Sequence, residues 1–126
     1  MVEVVDEPVV TYGVLVVDDD PDVCTVVRRY IERERGLRVC GVAVDPDSAI
    51  ELARATDPDV VVLDYDLGRG ASGPDLALRL RDVVPGSHIV LFSAYLRQSD
   101  RFAGVDAVHE KDRLAELAAA IRRIVG

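Results

Sequence analysis

The chain has 126 residues, 49% of them hydrophobic and 30% charged, the make-up of one ordinary soluble domain large enough for a real core. A net charge of −8 and a pI near 4.6 argue against nucleic-acid or anionic-membrane binding by this domain and suit a site that holds a cation. No apolar stretch approaches a membrane span, and the acidic start Met1-Val2-Glu3 has no basic n-region, so neither a span nor a signal peptide is expected and the expected location is cytoplasmic.

Residues 1 to 11 read as an N-terminal extension or edge segment, and 12 to 126 as the domain. A first strand runs from Tyr12 to Val17. Asp20-Pro21 reads as an N-cap followed by the first helical residue. Val23, Val26, Val27, Tyr30 and Ile31 then recur at helical spacing and define one apolar face. Gly36 stops that helix, and Leu37 to Val44 alternates as a second strand. Asp45-Pro46 repeats the capping pattern ahead of a second helix carrying Ile50 and Ala53. Pro58 precedes a third strand, 59–63, so rich in valine that it reads as buried on both faces. A glycine-rich loop, 67–73, leads to a helix opened by Pro74 and ended by Pro85-Gly86. Ile89 to Phe92 forms a fourth strand, and Leu96 to Ala103 is at most a short helix. Val105 to Glu110 is a fifth strand. Asp112 caps a last helix with Leu114, Leu117, Ala118, Ile121 and Ile124 on one face. Five alternating βα units of this kind predict an α/β fold with a doubly wound parallel sheet. Cys24 and Cys40 lack metal-ligand spacing and read as buried free thiols.

The strand ends carry the chemistry. Strand one discharges Asp18 and Asp19, strand three Asp64 with Asp66 two residues on, strand four Ser93, and strand five Lys111. Open parallel sheets bind ligands at these ends. Neighbouring first and third strands would bring together three carboxylates, whose repulsion a hard divalent cation such as Mg²⁺ compensates. Three negative charges then stand against Mg²⁺ and the Lys111 ammonium. A carboxylate nucleophile, a cation and donors for new phosphoryl oxygens are the parts phosphoryl transfer needs. Taken singly, each of these residues reads as a cap, a loop charge or an ordinary surface group; their joint placement makes the site. Asp20 and Asp45 remain N-caps, His88 and His109 structural residues, and Tyr95 a ring packed over the site mouth. The glycine-rich loop lacks the lysine of a nucleotide P-loop.

The motifs Val17-Asp18-Asp19-Asp20-Pro21, Leu63-Asp64-Tyr65-Asp66-Leu67, Phe92-Ser93-Ala94-Tyr95 and Lys111 together resemble the receiver domain of two-component response regulators, over about residues 12–125. The resemblance implies a flavodoxin-like fold with strand order 2-1-3-4-5. It implies Asp64 as phosphoacceptor from a histidine kinase or phosphotransfer protein, and Mg²⁺ held by Asp18, Asp19, Asp64 and the Asp66 backbone carbonyl. Ser93 would be the switch hydroxyl, Lys111 the phosphoryl partner, and Tyr95 and Val108 modulating positions. An output domain or downstream protein is the implied effector, and beyond its own phosphorylation and dephosphorylation no enzyme activity is implied.

Some positions depart from the family pattern. Val108 replaces an aromatic three residues before the lysine. Lys111 is followed by Asp112 instead of proline, as in receivers attached to helix-turn-helix output domains. Gly68 stands where proline is common, in a loop about one residue longer than usual. The segment from Ser93 to Gly104 is about a turn short, and because it builds the family's usual output and dimer face, homodimerisation stays open. Two alternatives compete. A degenerate receiver that only binds a partner would fail to bind Mg²⁺ or a beryllofluoride mimic. Asp64-Tyr65-Asp66 also resembles the nucleophile motif of haloacid-dehalogenase-type phosphatases, but the roughly 60 residues that follow are too few for their sheet.

Overall fold

A computed structural model describes residues 10–126, so nearly all of the expected extension over 1–11 lies outside the described residues. The elements in order are β1 (Tyr12–Val17), α1 (Pro21–Glu32), β2 (Leu37–Ala43), α2 (Pro46–Thr56), β3 (Val60–Asp64), α3 (Gly73–Val83), β4 (His88–Ser93), β5 (Ala107–Glu110), a 3₁₀ turn (Lys111–Glu116) and α4 (Leu117–Val125). The five strands are parallel in the order β2-β1-β3-β4-β5, the doubly wound arrangement expected.

Every residue of β3 is buried, which explains its unbroken valine run: both faces are covered. Alternate residues supply two cores. Leu15, Val17, Leu63 and Leu91 pack with α2 and α3 on one face, while Val14, Val16, Val62 and Phe92 pack with α1 and α4 on the other. The register pairs Val17 with Leu63, Asp64 with Phe92 and Ser93 with Glu110, so the residues at or just beyond the ends of β1, β3, β4 and β5 share one rim of the sheet.

The capping pattern holds where proline follows aspartate. Asp20 accepts from the Asp22 amide and Asp45 from the Ser48 amide, satisfying donors that a helix start leaves free. Ser72 does the same for α3.

Three expectations of the elements change. The buried face of α1 is Cys24, Val27 and Ile31, while Val26 is 42% exposed, because the stripe facing the sheet lies to one side of the valine pair. No helix forms between β4 and β5, so that connection leaves the βα alternation. There the Asp100 carboxylate accepts from the Arg97 amide at 2.8 Å and the Asp100 amide donates to the Arg97 carbonyl at 2.9 Å, closing a turn that competes with helix. Its far end turns at Gly104, whose φ of +78° suits glycine. Asp112 caps nothing: the 3₁₀ turn has Glu110 at its N-cap with no side-chain hydrogen bond, kinks at Arg113, and the α-helix begins only at Leu117.

The cysteines fall on opposite faces of the sheet and both are free thiols. Cys24 is buried, whereas Cys40 is half-buried, contrary to expectation. Burial, with help from the neighbouring Asp18 charge, pushes the Cys24 thiol up to about 11. His109 is structural: it is buried, stacks on Phe92 and shares a 2.7 Å hydrogen bond with the Arg113 carbonyl.

Candidate functional site

The rim brings Asp18, Asp19 and Asp64 together. Each offers a carboxylate oxygen within 4.8 Å of the others. Asp18 is held by the sheet it leaves: its amide donates to the Ala43 carbonyl, and its Oδ1 accepts from the Asp20 amide at 2.9 Å. Asp19 is exposed, beside a cleft of about 280 Å³ that Asp64, Asp66, Ser93 and Lys111 also line.

Lys111 reaches the acids from the end of β5. Its Nζ lies 3.1 Å from Asp18 Oδ2 and 3.1 Å from Asp64 Oδ1, an ammonium shared between two carboxylates. Burial raises the Asp64 carboxyl above the usual carboxylate range, outweighing the Lys111 hydrogen bond that pulls it down, and the Asp18 charge pushes the same way as burial. Burial opposes the charged form of Lys111, yet the hydrogen bonds it donates to Asp64 and Asp18 prevail and hold the ammonium above its ordinary value. Two acids share one cation, so negative charge is left over. The donor set is all oxygen and suits a hard divalent ion such as Mg²⁺, which takes one or two carboxylates and keeps waters.

The other expected residues fall into two groups. Ser93 is buried at the end of β4, and its Oγ accepts from the Tyr95 amide at 3.1 Å, leaving the O–H hydrogen for an incoming oxygen. Asp66 stands at the mouth, but its Oδ1 accepts from the Gly68 amide at 2.9 Å, so this carboxylate braces its own loop. Tyr95 lines the same cleft while 88% exposed, and its amide ties it to Ser93. Val108 is buried in the core on the α2–α3 face, away from solvent.

The sequence places Gly68 and Gly73 in the glycine-rich loop without showing what they touch. Gly73 sits where a Cβ would stand 2.2 Å from the Asp64 carbonyl oxygen, and Gly68 where one would stand 3.0 Å from Asp19 Oδ2. Both were legible only as members of a glycine-rich loop; the close approaches need the fold. Tyr65 pairs with Phe102 of the β4–β5 connector, ring centroids 5.9 Å apart, a contact that no local spacing announces.

An open doubly wound sheet whose strand ends gather three carboxylates and a shared ammonium defines a class: an α/β domain with an acidic, cation-type cluster at its topological switch point. The family model of the response regulator receiver domain matches residues 14–111, and the chain belongs to that family. It is 36% identical over 96 residues to the nitrate/nitrite response regulator NarP of Escherichia coli, covering 76% of this chain and 44% of that protein. It is 42% identical over 94 residues to the probable transcriptional regulatory protein TcrX of Mycobacterium tuberculosis, covering 75% of this chain and 39% of that one. The chain thus spans under half the length of these relatives. Among solved structures, a LuxR-family two-component response regulator from Aurantimonas aligns with a TM-score of 0.81 at 33% identity, over 91% of this chain and 85% of that one. The receiver domain of the putative response regulator NarL of Mycobacterium tuberculosis aligns with a TM-score of 0.78 at 28% identity, over 92% of this chain and 97% of that one. No helix among the described residues is long and apolar enough to cross a membrane.

Proposed function

We propose that residues 12–126 form a phosphorylatable receiver in which Asp64 is the phosphoacceptor. The observation that carries this reading is Lys111 Nζ standing 3.1 Å from both Asp18 and Asp64, in a cluster whose third carboxylate is Asp19. The donor is a histidine kinase or phosphotransfer protein. The Asp64 carboxylate oxygen bonds to phosphorus as the bond from phosphorus to the donor's imidazole nitrogen breaks. Lys111 remains an ammonium and turns one of its bonds to a phosphoryl oxygen; Ser93 donates its hydroxyl to another. Asp18, Asp19, Asp64 and the Asp66 carbonyl would hold Mg²⁺, which when bound neutralises the charge that builds on the transferred group. The matched relatives are named as response regulators or transcriptional regulators and are more than twice as long as the aligned part, so the output we propose is a regulatory domain or downstream protein. Direct nucleic-acid contact is left to that partner, since this chain carries a net charge of −8.

Mg²⁺ with acetyl phosphate is expected to add one phosphate, read as a mass increase, and Asp64→Ala to abolish it. Undiminished labelling of the variant overturns the assignment. Because burial raises the Asp64 carboxyl in the metal-free protein and Mg²⁺ must displace its proton, Mg²⁺ affinity is expected to decline on acidification sooner than ordinary carboxylates would impose.

A further inference from the structure

The position on β5 three residues before Lys111 is Val108, buried and β-branched, with no ring to turn and little χ1 freedom. The connector 94–106 has no helix of its own and is fastened at three places. At its start the Tyr95 amide donates to Ser93 Oγ at 3.1 Å. At its end Arg81 of α3 donates to the Gly104 carbonyl at 2.9 Å and pairs with Asp106. Between them Leu96, Phe102 and Val105 lie against the core, and Phe102 meets the Tyr65 ring at 5.9 Å with the planes inclined by 56°.

Tyr65 is joined to Asp64 by a peptide bond and lines the same cleft as Asp64 and Ser93. Its carbonyl accepts from the Gly73 amide at 2.6 Å, which ties its backbone to the start of α3. A phosphoryl group on Asp64 enters the cleft that Tyr65 lines and draws the Ser93 hydroxyl toward the new oxygens. The first acts on Tyr65, and the second on the connector through Tyr95. With the connector's end held by Arg81, both displacements meet at the Tyr65–Phe102 contact.

We infer that this ring contact, instead of a ring on β5, carries the state of Asp64 into the connector. The inference rests on the phosphoacceptor reading above. Phenylalanine occurs at two positions, 92 and 102, so protein labelled with fluorophenylalanine gives two fluorine resonances. Phe92, whose ring centre is 5.6 Å from Lys111 Nζ, reports loading of the site; Phe102 reports the connector. With Mg²⁺ and beryllofluoride both resonances are expected to move by several linewidths. In Tyr65→Leu, which keeps apolar bulk, the Phe92 response is expected to persist and the Phe102 response to collapse. Ser93→Ala, which cuts the other arm, is expected to diminish the Phe102 response and serves if Tyr65→Leu does not fold. A Phe92 shift without a Phe102 shift in the unaltered protein overturns the relay and leaves the phosphoacceptor reading standing. So does a full Phe102 response in Tyr65→Leu. If neither ring responds and no phosphate is taken up, both readings fall together.

Discussion

Two loops leave the same rim of the sheet and are built by opposite means. The β3–α3 junction is closed by contact: Gly73 is buried, its amide bonds the Tyr65 carbonyl, and its Cα lies so near Asp64 that a Cβ would fall 2.2 Å from a backbone oxygen. The β4–β5 connector is closed by straps: Arg81, the Asp100 turn and a few half-buried apolar residues hold a segment without regular structure. Under the proposed function the difference follows from what each must do. A nucleophile has to stay at one place to a few tenths of an ångström, and close packing against backbone gives that. A segment that moves with the charge state of the site needs contacts that can be exchanged, and exposed polar bonds worth about 1 kcal/mol each allow it.

The sharpest way to break this comparison is Gly73→Ala. The Cβ meets the Asp64 backbone at 2.2 Å and Leu91 Cδ2 at 2.9 Å, and backbone cannot swing aside. We expect a loss of about 3 kcal/mol or more in a urea titration, the upper end of overpacking costs. Phosphoryl uptake would fall with it. A variant within about 1 kcal/mol of the parent would show that the junction has slack and that the two loops do not differ as argued.

Arg81→Ala tests the other side. It removes donors to the Gly104 and Ser87 carbonyls and the partner of Asp106, whose Oδ2 also accepts from the Ile89 amide at 2.7 Å. The pair is partly exposed, so solvent screening limits its worth, and about 1–2 kcal/mol is expected. The character of the loss matters more than its size. Amide hydrogen exchange should quicken across 94–106 well beyond any change in β1 and β3. Uniform acceleration over the whole sheet would mean that the connector belongs to the cooperative core.

The two loops also mark where sequence reading succeeds. β1 and β3 were legible because a buried parallel strand is an unbroken apolar run, and an acid closing such a run stands out. The helix starts were legible because Asp-Pro fixes both cap and first residue. The missing helix was half legible: Leu96 to Ala103 is short and polar, but that Asp100 closes a turn instead depends on geometry. The exposed Val26 and the idle Asp112 show pattern yielding to tertiary placement. Spacing gives a helical stripe without its centre, and a capping residue does not cap when the chain enters a 3₁₀ turn first. Of the site, the acids, Ser93 and Lys111 announced themselves by position at strand ends. The glycine approaches and the Tyr65–Phe102 contact did not, because they join parts of the chain that only the fold brings together.

Gly68→Ala is the mildest probe and separates backbone strain from crowding of the acids. Gly68 has φ +73°, a left-handed conformation in which a side chain costs about 1 kcal/mol. Its Cβ would stand 3.0 Å from Asp19 Oδ2, but here the neighbour is the end of an exposed side chain that can rotate away. The stability loss should therefore stay near 1 kcal/mol, far below that of Gly73→Ala, although both glycines lie in one loop. Rotation of Asp19 has its own consequence under the proposed function, since it turns an oxygen donor out of the cluster. Mg²⁺ affinity, measured by calorimetry on the isolated protein, is expected to drop severalfold while Asp64 keeps its place. A fall in stability with unchanged Mg²⁺ affinity would show that Asp19 has room to spare. The need for glycine at 68 would then come from the turn alone.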